Sequence, residues 1–427
     1  MTSKPAGPRE IWAWCMYDFA NSSFTTLIVT VAYSVYFIQV VAGELPEAGA
    51  AEQLWFRGYA ASVLVAAFLL PVLGAVADVR AAKRAFLIAS TILCVACTAL
   101  LALVEPGDVW MGLVVFGLAN IAFELGFMFC SAFLVELAPP ERMGRLSGYG
   151  WGLGYVGGLL SLALAYPFIS GGLGEDNLFT YRLSFAATAG FFLIASVPTF
   201  LFLRERTVPH IGRAGEGAWR QGLARLLSTA RQITRYRDLA LYLVAYLIYT
   251  DGINTVIVAS AIFANKVLDF SPADLIIYFL VTQITAGLGS LAFGFLADRR
   301  GAKRTITVTL VIWIILVSCA AAVQTPLQFY AIGLVAGAAL GANQATSRAL
   351  MGQFTPPGKQ AEFFGFFSVI GKFAAMVGPL VYGEVTAVMG SQRWAVLSIA
   401  PFFIIGLLAL QAVNEQRGKV AAQQEHT

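Results

Sequence analysis

Long apolar stretches constrain this chain more than any other feature of its sequence. They recur in runs of about 20 residues, and a helix of that length crosses a hydrocarbon core about 30 Å thick. Inside such a core, backbone amides and carbonyls can be satisfied only within helices or closed barrels. The sequence lacks the short alternating segments that are typical of a barrel. It therefore predicts an all-α integral membrane protein.

Composition supports this interpretation. Apolar residues make up 58% of the chain and charged residues 12%, whereas a soluble domain has roughly a quarter of its residues charged. No small-residue cleavage site follows the first apolar run, which is therefore expected to remain as a span. The formal net charge of +4 reflects how the loops are charged, and we expect no binding to nucleic acid.

Twelve membrane-spanning helices can be placed on the apolar runs. Their predicted limits are 12–41, 54–77, 84–104, 109–137, 145–169, 182–203, 239–264, 273–297, 304–323, 327–354, 362–388 and 393–413. In this arrangement most Lys and Arg residues fall on one side of the membrane, and the other side receives Arg57, Arg182, Lys266 and Arg393. Because cytoplasmic loops carry the excess of Lys and Arg, we expect a multi-pass protein of the cell (inner) membrane with both termini in the cytoplasm.

A polar segment at residues 204–238 divides the chain. We expect an N-terminal six-helix bundle at 1–203, a C-terminal six-helix bundle at 239–413 and a cytoplasmic tail at 414–427. Apolar residues within the segment follow near-helical spacing among arginines: Trp219, Leu223, Leu226, Leu227 and Ile233. This pattern suits a cytoplasmic linker whose basic amphipathic helix lies on an anionic membrane surface. It equally suits an ordinary solvated linker helix.

Internal repetition indicates that the two halves are homologous. GAVADVRAAKR, Gly74 to Arg84, and GFLADRRGAKR, Gly294 to Arg304, each follow a long apolar run and lie about 220 residues apart. Two further correspondences are the DxxN motifs, Asp18 and Asn21 with Asp251 and Asn254, and the proline pairs, Pro139 and Pro140 with Pro356 and Pro357. Agreement at several places favours duplication over coincidence. In folds built from two such halves, a substrate site lies between them near the membrane midplane.

Charged residues deep within the spans are candidates for function, since each is costly there unless it faces a cavity or a partner. Glu124 lies near the middle of span four, one turn from Asn120, so the two share a helix face. Asp251 and Lys372 lie near the middle of spans seven and eleven, and Asp18 is shallower. A role in substrate or ion binding and a purely structural ion pair are both open. With the DxxN asparagines, the candidate set is Asp18, Asn21, Asn120, Glu124, Asp251, Asn254 and Lys372.

The spans contain more carboxylates than cations. Desolvation favours the protonated form of a carboxylate that lacks a partner, so one of them could bind and release a proton during transport. We hypothesise proton coupling through Glu124 or Asp251, with Lys372 pairing with one of them or with a substrate carboxylate. Arg348 lies only two turns from the cytoplasmic end of span ten and is expected to snorkel towards that surface.

Glycines at four-residue spacing predict close helix packing. They are Gly150, Gly154 and Gly158 in span five, and Gly333, Gly337 and Gly341 in span ten. The five cysteines fall in apolar runs and are expected to be buried, and no second pair or histidine completes a metal site around Cys94 and Cys97. The sequence contains no Walker motif and no HExxH or GxSxG motif. We therefore expect no metal, no cofactor and no enzyme activity.

Several stretches resemble one branch of the major facilitator superfamily of membrane transporters. They are YDFANSSF at 17–24, SGYGWGLGYVGG at 147–158 and IGKFAAMVGP at 370–379. That branch includes the fungal vacuolar amino-acid effluxers and the bacterial proteins called unknown major facilitators. GFLADRRGAKR also resembles the loop between the second and third helices of each superfamily half, while the first copy departs from it at Val79 and Ala81. The resemblance implies twelve helices in two pseudo-symmetric six-helix bundles.

In the superfamily this loop resembles a cytoplasmic latch, so the resemblance implies gating for both copies. Asp78 and Asp298 end helices, where the helix dipole disfavours an anion. They should be held by Arg142 or Arg145 in the first half and by Lys359 in the second, or by a facing helix N-terminus. The alternative is a contact that only orders the loop. The implied gating residues are Gly74, Asp78, Lys83, Arg84, Gly294, Asp298, Arg299, Gly301, Lys303 and Arg304.

Transport is the function that the resemblance implies. We expect a monomeric secondary active transporter, embedded in membrane lipid, that moves a small-molecule substrate by alternating access. The substrate is expected to be an amino acid or similar metabolite, and protons are the candidate coupling ion. The alternative is a membrane sensor that binds a solute on the same scaffold without moving it. The short tails and the lack of a soluble signalling domain argue against a sensor.

Overall fold

The computed structural model describes residues 6–47, 49–207, 222 and 236–424. Within these ranges the chain forms twelve long helices, which are α1 (Pro8–Val41), α2 (Ala50–Arg80), α3 (Lys83–Leu103), α4 (Val109–Leu137), α5 (Met143–Ile169), α6 (Leu178–Phe202), α7 (Arg237–Leu268), α8 (Pro272–Arg300), α9 (Ala302–Ala322), α10 (Pro326–Phe354), α11 (Gln360–Met389) and α12 (Gln392–Gln411). A short helix, α13 (Glu415–Gln423), follows them. The linker helix expected around Trp219 lies outside the described residues.

Eleven helices in the described part of the chain are long and apolar enough to cross a membrane. The remaining long helix, α10, has 29 residues, but a polar run from Asn343 to Arg348 lowers its mean hydropathy. Large apolar side chains such as Phe68 and Leu380, 79% and 70% exposed, cover the outside and suit contact with lipid. Cys319 of α9 also lies on this surface, so the expectation of burial is wrong for that cysteine. The prediction of an all-α integral membrane protein is confirmed.

Each half packs around aromatic side chains of its own. In the first half, the ring of Tyr33 stacks on Phe116, and its hydroxyl donates to the Gly112 carbonyl at 3.0 Å. In the second half, the rings of Trp313 and Phe403 stack with centroids 5.5 Å apart. Aromatic pairs of this kind add stability beyond the apolar area that they bury. Each bundle therefore has aromatic contacts of its own in its core.

The halves meet most extensively where α2 packs on α11 and α5 packs on α8, and α10 also packs on α5 and α11 on α4. Glycine permits the first two approaches. A methyl group at Gly74 would lie 2.4 Å from the Ala361 carbonyl oxygen, and one at Gly294 would lie 2.7 Å from the Gly144 carbonyl oxygen. A larger side chain at either position would force the helices apart. This explains why both repeated loops begin with glycine.

The glycines at four-residue spacing lie against neighbouring helices. Those of α5 face α1, and those of α10 face α8; in order they are Gly150, Gly154, Gly158, Gly333, Gly337 and Gly341. The tightest approach is at Gly341, where an added methyl group would lie 1.9 Å from the Ala286 carbonyl oxygen. Such contacts let two backbones come close enough for dispersion to hold them together within a membrane.

Both halves contain a glutamate that caps a helix N-terminus, which the sequence did not reveal. After α6, Glu205 accepts hydrogen bonds from the backbone N–H groups of Lys83 and Arg84, at 2.9 and 3.1 Å, and so caps α3. After α12, Glu415 accepts a hydrogen bond from the Lys303 N–H group at 3.2 Å and caps α9. A carboxylate at a helix N-terminus is favoured by the helix dipole. The same connection is thus stabilised in both halves.

The turn between α2 and α3 contains a strained residue. Ala81 has φ +49°, and the equivalent position between α8 and α9 is occupied by Gly301, with φ +92°. A residue with a side chain pays roughly 1–2 kcal/mol in the left-handed region, which glycine enters freely. The departure of the first loop from the superfamily pattern therefore has a structural cost.

We predict that Ala81→Gly raises the stability of the purified protein by up to about 1 kcal/mol, because the relief of strain exceeds the added entropy of the unfolded chain. Gly301→Ala, the reverse change at the matched turn, should lower stability. Thermal unfolding in detergent, followed by intrinsic fluorescence, measures both effects. A lower melting temperature for Ala81→Gly would contradict the assignment of strain to this turn.

Candidate functional site

A cavity of about 270 Å³ lies between the two halves. It is lined by α1, α4 and α5 from the first half and by α7, α10 and α11 from the second. Its polar lining residues are Asn21, Ser22, Thr25, Glu124, Thr250, Asn254, Asn343, Gln344, Ser347, Arg348, Ser368 and Lys372. Its aromatic lining residues are Phe123, Phe127, Trp151, Tyr246, Tyr249 and Phe367. Apolar walls with a few polar groups are typical of a small-molecule site.

One ion pair joins the two halves within this cavity. Lys372 of α11 donates to Glu124 of α4 at 2.6 Å. The Glu124 side chain is 3% exposed and the Lys372 side chain 32% exposed, so Lys372 is the member of the pair that a solute can reach. Of the pairings left open by the sequence, this is the one that forms. Because the partners belong to different halves, the pair depends on how the halves are arranged.

The second DxxN motif holds a break in α11, which is interrupted just before Val377. Asp251 accepts hydrogen bonds from the backbone N–H groups of Val377 and Gly378, at 3.1 and 2.9 Å, and so caps the second part of α11. Asn254 donates to the Ala374 carbonyl on the other side of the break. Asn254 lines the cavity and Asp251 does not.

Asn120 does not reach the cavity, although it shares a face of α4 with Glu124. Its side-chain amide donates to Ser62 Oγ of α2 at 2.9 Å, and the residue is 1% exposed. Residues one turn apart on a helix can differ in their surroundings where two neighbouring helices meet. Asn120 therefore holds α2 against α4, whereas Glu124 faces the second half.

Three N–H donors on cavity-lining residues have no acceptor within the described part of the chain: Asn21 Nδ2, Trp151 Nε1 and Asn343 Nδ2. The orientation of Asn343 follows from Trp313, whose Nε1 donates to Asn343 Oδ1 at 3.0 Å. A buried donor left without an acceptor costs about 1–3 kcal/mol. All three nitrogens are buried beneath the cavity surface, so a solute reaches them only where the lining side chains move.

Arg348 does not snorkel to the membrane surface, so the expectation from its position in span ten is wrong. Its side chain is 2% exposed, and Nη1 lies 2.8 Å from Oδ2 of Asp18 in α1. Nε and Nη2 donate to the hydroxyl and the carbonyl of Ser147, each at 2.9 Å. Its side chain points across the interface into the first half, and depth along a helix does not reveal that direction.

Both loop aspartates cap helices of the opposite half. Asp298, near the end of α8, accepts hydrogen bonds from the backbone N–H groups of Gly144 and Arg145 at the start of α5, at 2.8 and 3.2 Å. Asp78, near the end of α2, accepts them from two residues in the first turn of α11, at 3.1 and 2.9 Å. We call these contacts the latches, and the end of the molecule that carries them the latch end.

One of the expected partners of these aspartates, Arg145, was assigned to the wrong half. Arg145 lies 2.6 Å from Asp298 rather than beside Asp78, and Lys359 lies over the ring of Tyr236. The reason is the packing of α5 on α8 and of α2 on α11, which brings each aspartate to the other half. The facing helix N-terminus, the other partner considered from the sequence, is present in both latches.

The remaining loop residues differ between the two copies. Lys83 is fully buried among the carboxylates of Asp78, Glu136 and Glu205, the nearest 2.6 Å away. Its counterpart Lys303 instead donates to two main-chain carbonyls, one in the last residue of α12 and one just after that helix, at 3.0 and 2.6 Å. The other loop arginines are the partly buried Arg84 and the exposed Arg299 and Arg304. Buried charge is thus concentrated at the first copy.

Comparison with known proteins agrees with this architecture. The family model described as "Vacuole effluxer Atg22 like" matches residues 57–423. YxiO, an uncharacterized MFS-type transporter of Bacillus subtilis, is 31% identical over 97% of both chains. Autophagy-related protein 22-1 of Neosartorya fischeri is 25% identical over 64% of this chain and 49% of its own length, so the chain matches about half of the fungal protein.

Solved structures share the fold at low sequence identity. The human organic anion transporter MFSD10 (TETRAN) has a TM-score of 0.73 at 15% identity, over 96% of this chain and 100% of the other. The proton:xylose symporter XylE, bound to 6-bromo-6-deoxy-D-glucose, has a TM-score of 0.73 at 15% identity over 98% of both chains. The predicted major facilitator fold is confirmed, and these relatives are transporters rather than enzymes. The chain belongs to the Atg22-like vacuole effluxer family, a branch of the major facilitator superfamily.

Proposed function

We propose that this protein is a secondary active transporter that moves a small solute, an amino acid or a similar metabolite, across the membrane by alternating access. The observation that carries the proposal is the Glu124–Lys372 pair, which joins the two halves inside the central cavity. A site built from both halves responds to their relative movement. Membership of a family of transporters supports the same proposal.

A zwitterionic solute fits the charges of this site. Its carboxylate would bind the Lys372 ammonium and its ammonium the Glu124 carboxylate, so that two charge-assisted contacts replace one. Movement of the lining would allow the buried donors of Asn21, Trp151 and Asn343 to form further hydrogen bonds to acceptor oxygens. The aromatic rings of the lining would pack against an apolar side chain.

We place the latch end in the cytoplasm. Most Lys and Arg residues of the chain lie in connections at that end, and cytoplasmic loops carry such an excess. Both termini then lie in the cytoplasm, and the protein resides in the cell (inner) membrane. The conformation described here, with both latches formed, is closed towards the cytoplasm. Because one chain supplies both halves of the cavity, a monomer is sufficient for transport.

We also propose that transport of the solute is coupled to protons. Opening the latch end would separate two ion pairs that join the halves, Glu124 with Lys372 and Asp18 with Arg348. A carboxylate that loses its cation in an apolar interior binds a proton more readily. Asp251, the other carboxylate considered from the sequence, lies outside this group because two backbone amides of its own half hold it.

Counterflow in proteoliposomes tests the transport proposal. With vesicles preloaded with amino acids or small metabolites one at a time, at least one solute should drive entry of its labelled form. Lys372→Ala and Glu124→Gln should each lower the rate about tenfold or more, since a hydrogen bond to a charged group contributes roughly 1.5–3 kcal/mol. Lys266→Ala, at an exposed position in the second half, is the control and should change little. A solute that stabilises the protein against heat yet never exchanges would contradict transport and favour a sensor.

Removal of either latch is predicted to loosen both capped helix N-termini. Asp298→Asn and Asp78→Asn each replace a carboxylate by a neutral amide, which is a weaker acceptor at a helix N-terminus. Hydrogen exchange should become faster in both capped segments, 143–148 and 360–365, in either variant, because both latches close the same end. Mass spectrometry of the resulting peptides measures this, with the exposed Glu141→Gln as control. Faster exchange confined to the mutated latch would be evidence against a shared gate.

A further inference from the structure

Arg348 inserts from the second half into a pocket of the first half. Its helix, α10, belongs to the second half, whereas its partners belong to α1 and α5. Nη1 lies 2.8 Å from Asp18 Oδ2, and Nε and Nη2 donate to Ser147 at 2.9 Å. The rings of Trp14 and Trp151 lie 4.9 and 5.4 Å from its guanidinium carbon. We call the four first-half residues the arginine socket.

Asp18 depends on Arg348 for its counter-charge. The other titratable groups that face it are Cys15 and Tyr17 of α1 and Cys130 of α4, and all three are neutral at physiological pH. In the described part of the chain, Arg348 is the one residue that forms an ion pair with Asp18. Neither oxygen of its carboxylate receives a further hydrogen bond there. If Arg348 leaves, no other cation is positioned to replace it.

The socket lies beside the solute cavity but is separate from it. Arg348 lines the cavity, whereas Asp18 is 4% exposed and does not. Gly150 brings the two charges tightly against α5, since a methyl group there would lie 2.2 Å from Asp18 Oδ2 and 2.5 Å from Arg348 Nη2. Asp18 is therefore reached from the cavity only where the guanidinium moves aside. Glu124, by contrast, has its partner Lys372 exposed to solute.

We propose that Asp18 is the binding site of the coupling proton and that Arg348 controls it by leaving and entering the socket. This inference rests on the proposed transport function. When the guanidinium moves aside, a proton that arrives through the cavity binds a carboxylate oxygen of Asp18 and neutralises it. Arg348 is then no longer drawn back into the socket, which allows the latch end to open. Water at the open end then takes the proton from Asp18. The restored carboxylate attracts the guanidinium back into the socket, and the end closes.

Solute accumulation driven by a pH gradient, compared with counterflow without a gradient, provides the first test in proteoliposomes. Wild-type accumulation should follow the gradient. Asp18→Asn should lose this response, and the counterflow that remains should no longer vary with pH. Asp18→Glu, which keeps a carboxylate in the socket, should recover the response. Accumulation by Asp18→Asn that still follows the gradient would overturn the proposal.

Arg348→Gln provides a second test, because it leaves the Asp18 carboxylate in place. It tests the role of Asp18 even if Asp18→Asn does not fold. Without the guanidinium, Asp18 retains its proton to higher pH, so the pH at which counterflow changes should rise. An unchanged pH profile would overturn the proposal. Wild-type protein that exchanges solute but ignores the pH gradient would overturn it too, with transport intact. Wild-type protein that exchanges no solute would instead overturn the proposed function.

Discussion

Two aspartates at helix C-termini join the halves of this protein, and each accepts backbone hydrogen bonds from a helix that begins in the other half. Asp78 and Asp298 are disfavoured by the dipoles of their own helices, and the facing N-termini offset that cost. Hydrogen bonds to charged groups contribute about 1.5–3 kcal/mol each. Together the latches hold this end closed in the conformation described. The ion pairs nearer the midplane, Glu124 with Lys372 and Asp18 with Arg348, also join the two halves.

Duplication has placed similar side chains at equivalent positions, but these side chains now form different contacts. Asp18 pairs across the interface with Arg348, whereas Asp251 caps a broken helix within its own half. Within the described residues, an arginine of the second half reaches Asp18, whereas Asp251 accepts hydrogen bonds from backbone amides of its own half. We infer that the first half carries the charge that responds to movement, while in the second half the equivalent aspartate keeps the cavity-lining part of α11 in place.

Much of the fold could be predicted from the sequence, because hydropathy and motif spacing belong to the chain itself. The partners of the buried charged residues could not be predicted, because they depend on how the two halves pack. Asp78 needed a donor, and the sequence offered both arginines and a facing helix without deciding between them. The prediction for Arg348 was wrong because the sequence indicates how far along its helix the residue lies but not which way its side chain points. The break in α11 had a readable signal, Gly378 followed by Pro379, which favours an interruption in a helix.

We expect the latch end to open and close as solute moves across the membrane. Spin labels at the exposed Arg142 and Arg299, in a protein without native cysteines, report the distance across that end. Labels at Glu52 and Gln324, exposed at the opposite end, provide the reciprocal distance. Adding a transported solute should produce a second, longer distance between Arg142 and Arg299 while the opposite-end distance shortens. A single, unchanged distance at the latch end under every condition of solute and pH would contradict the account.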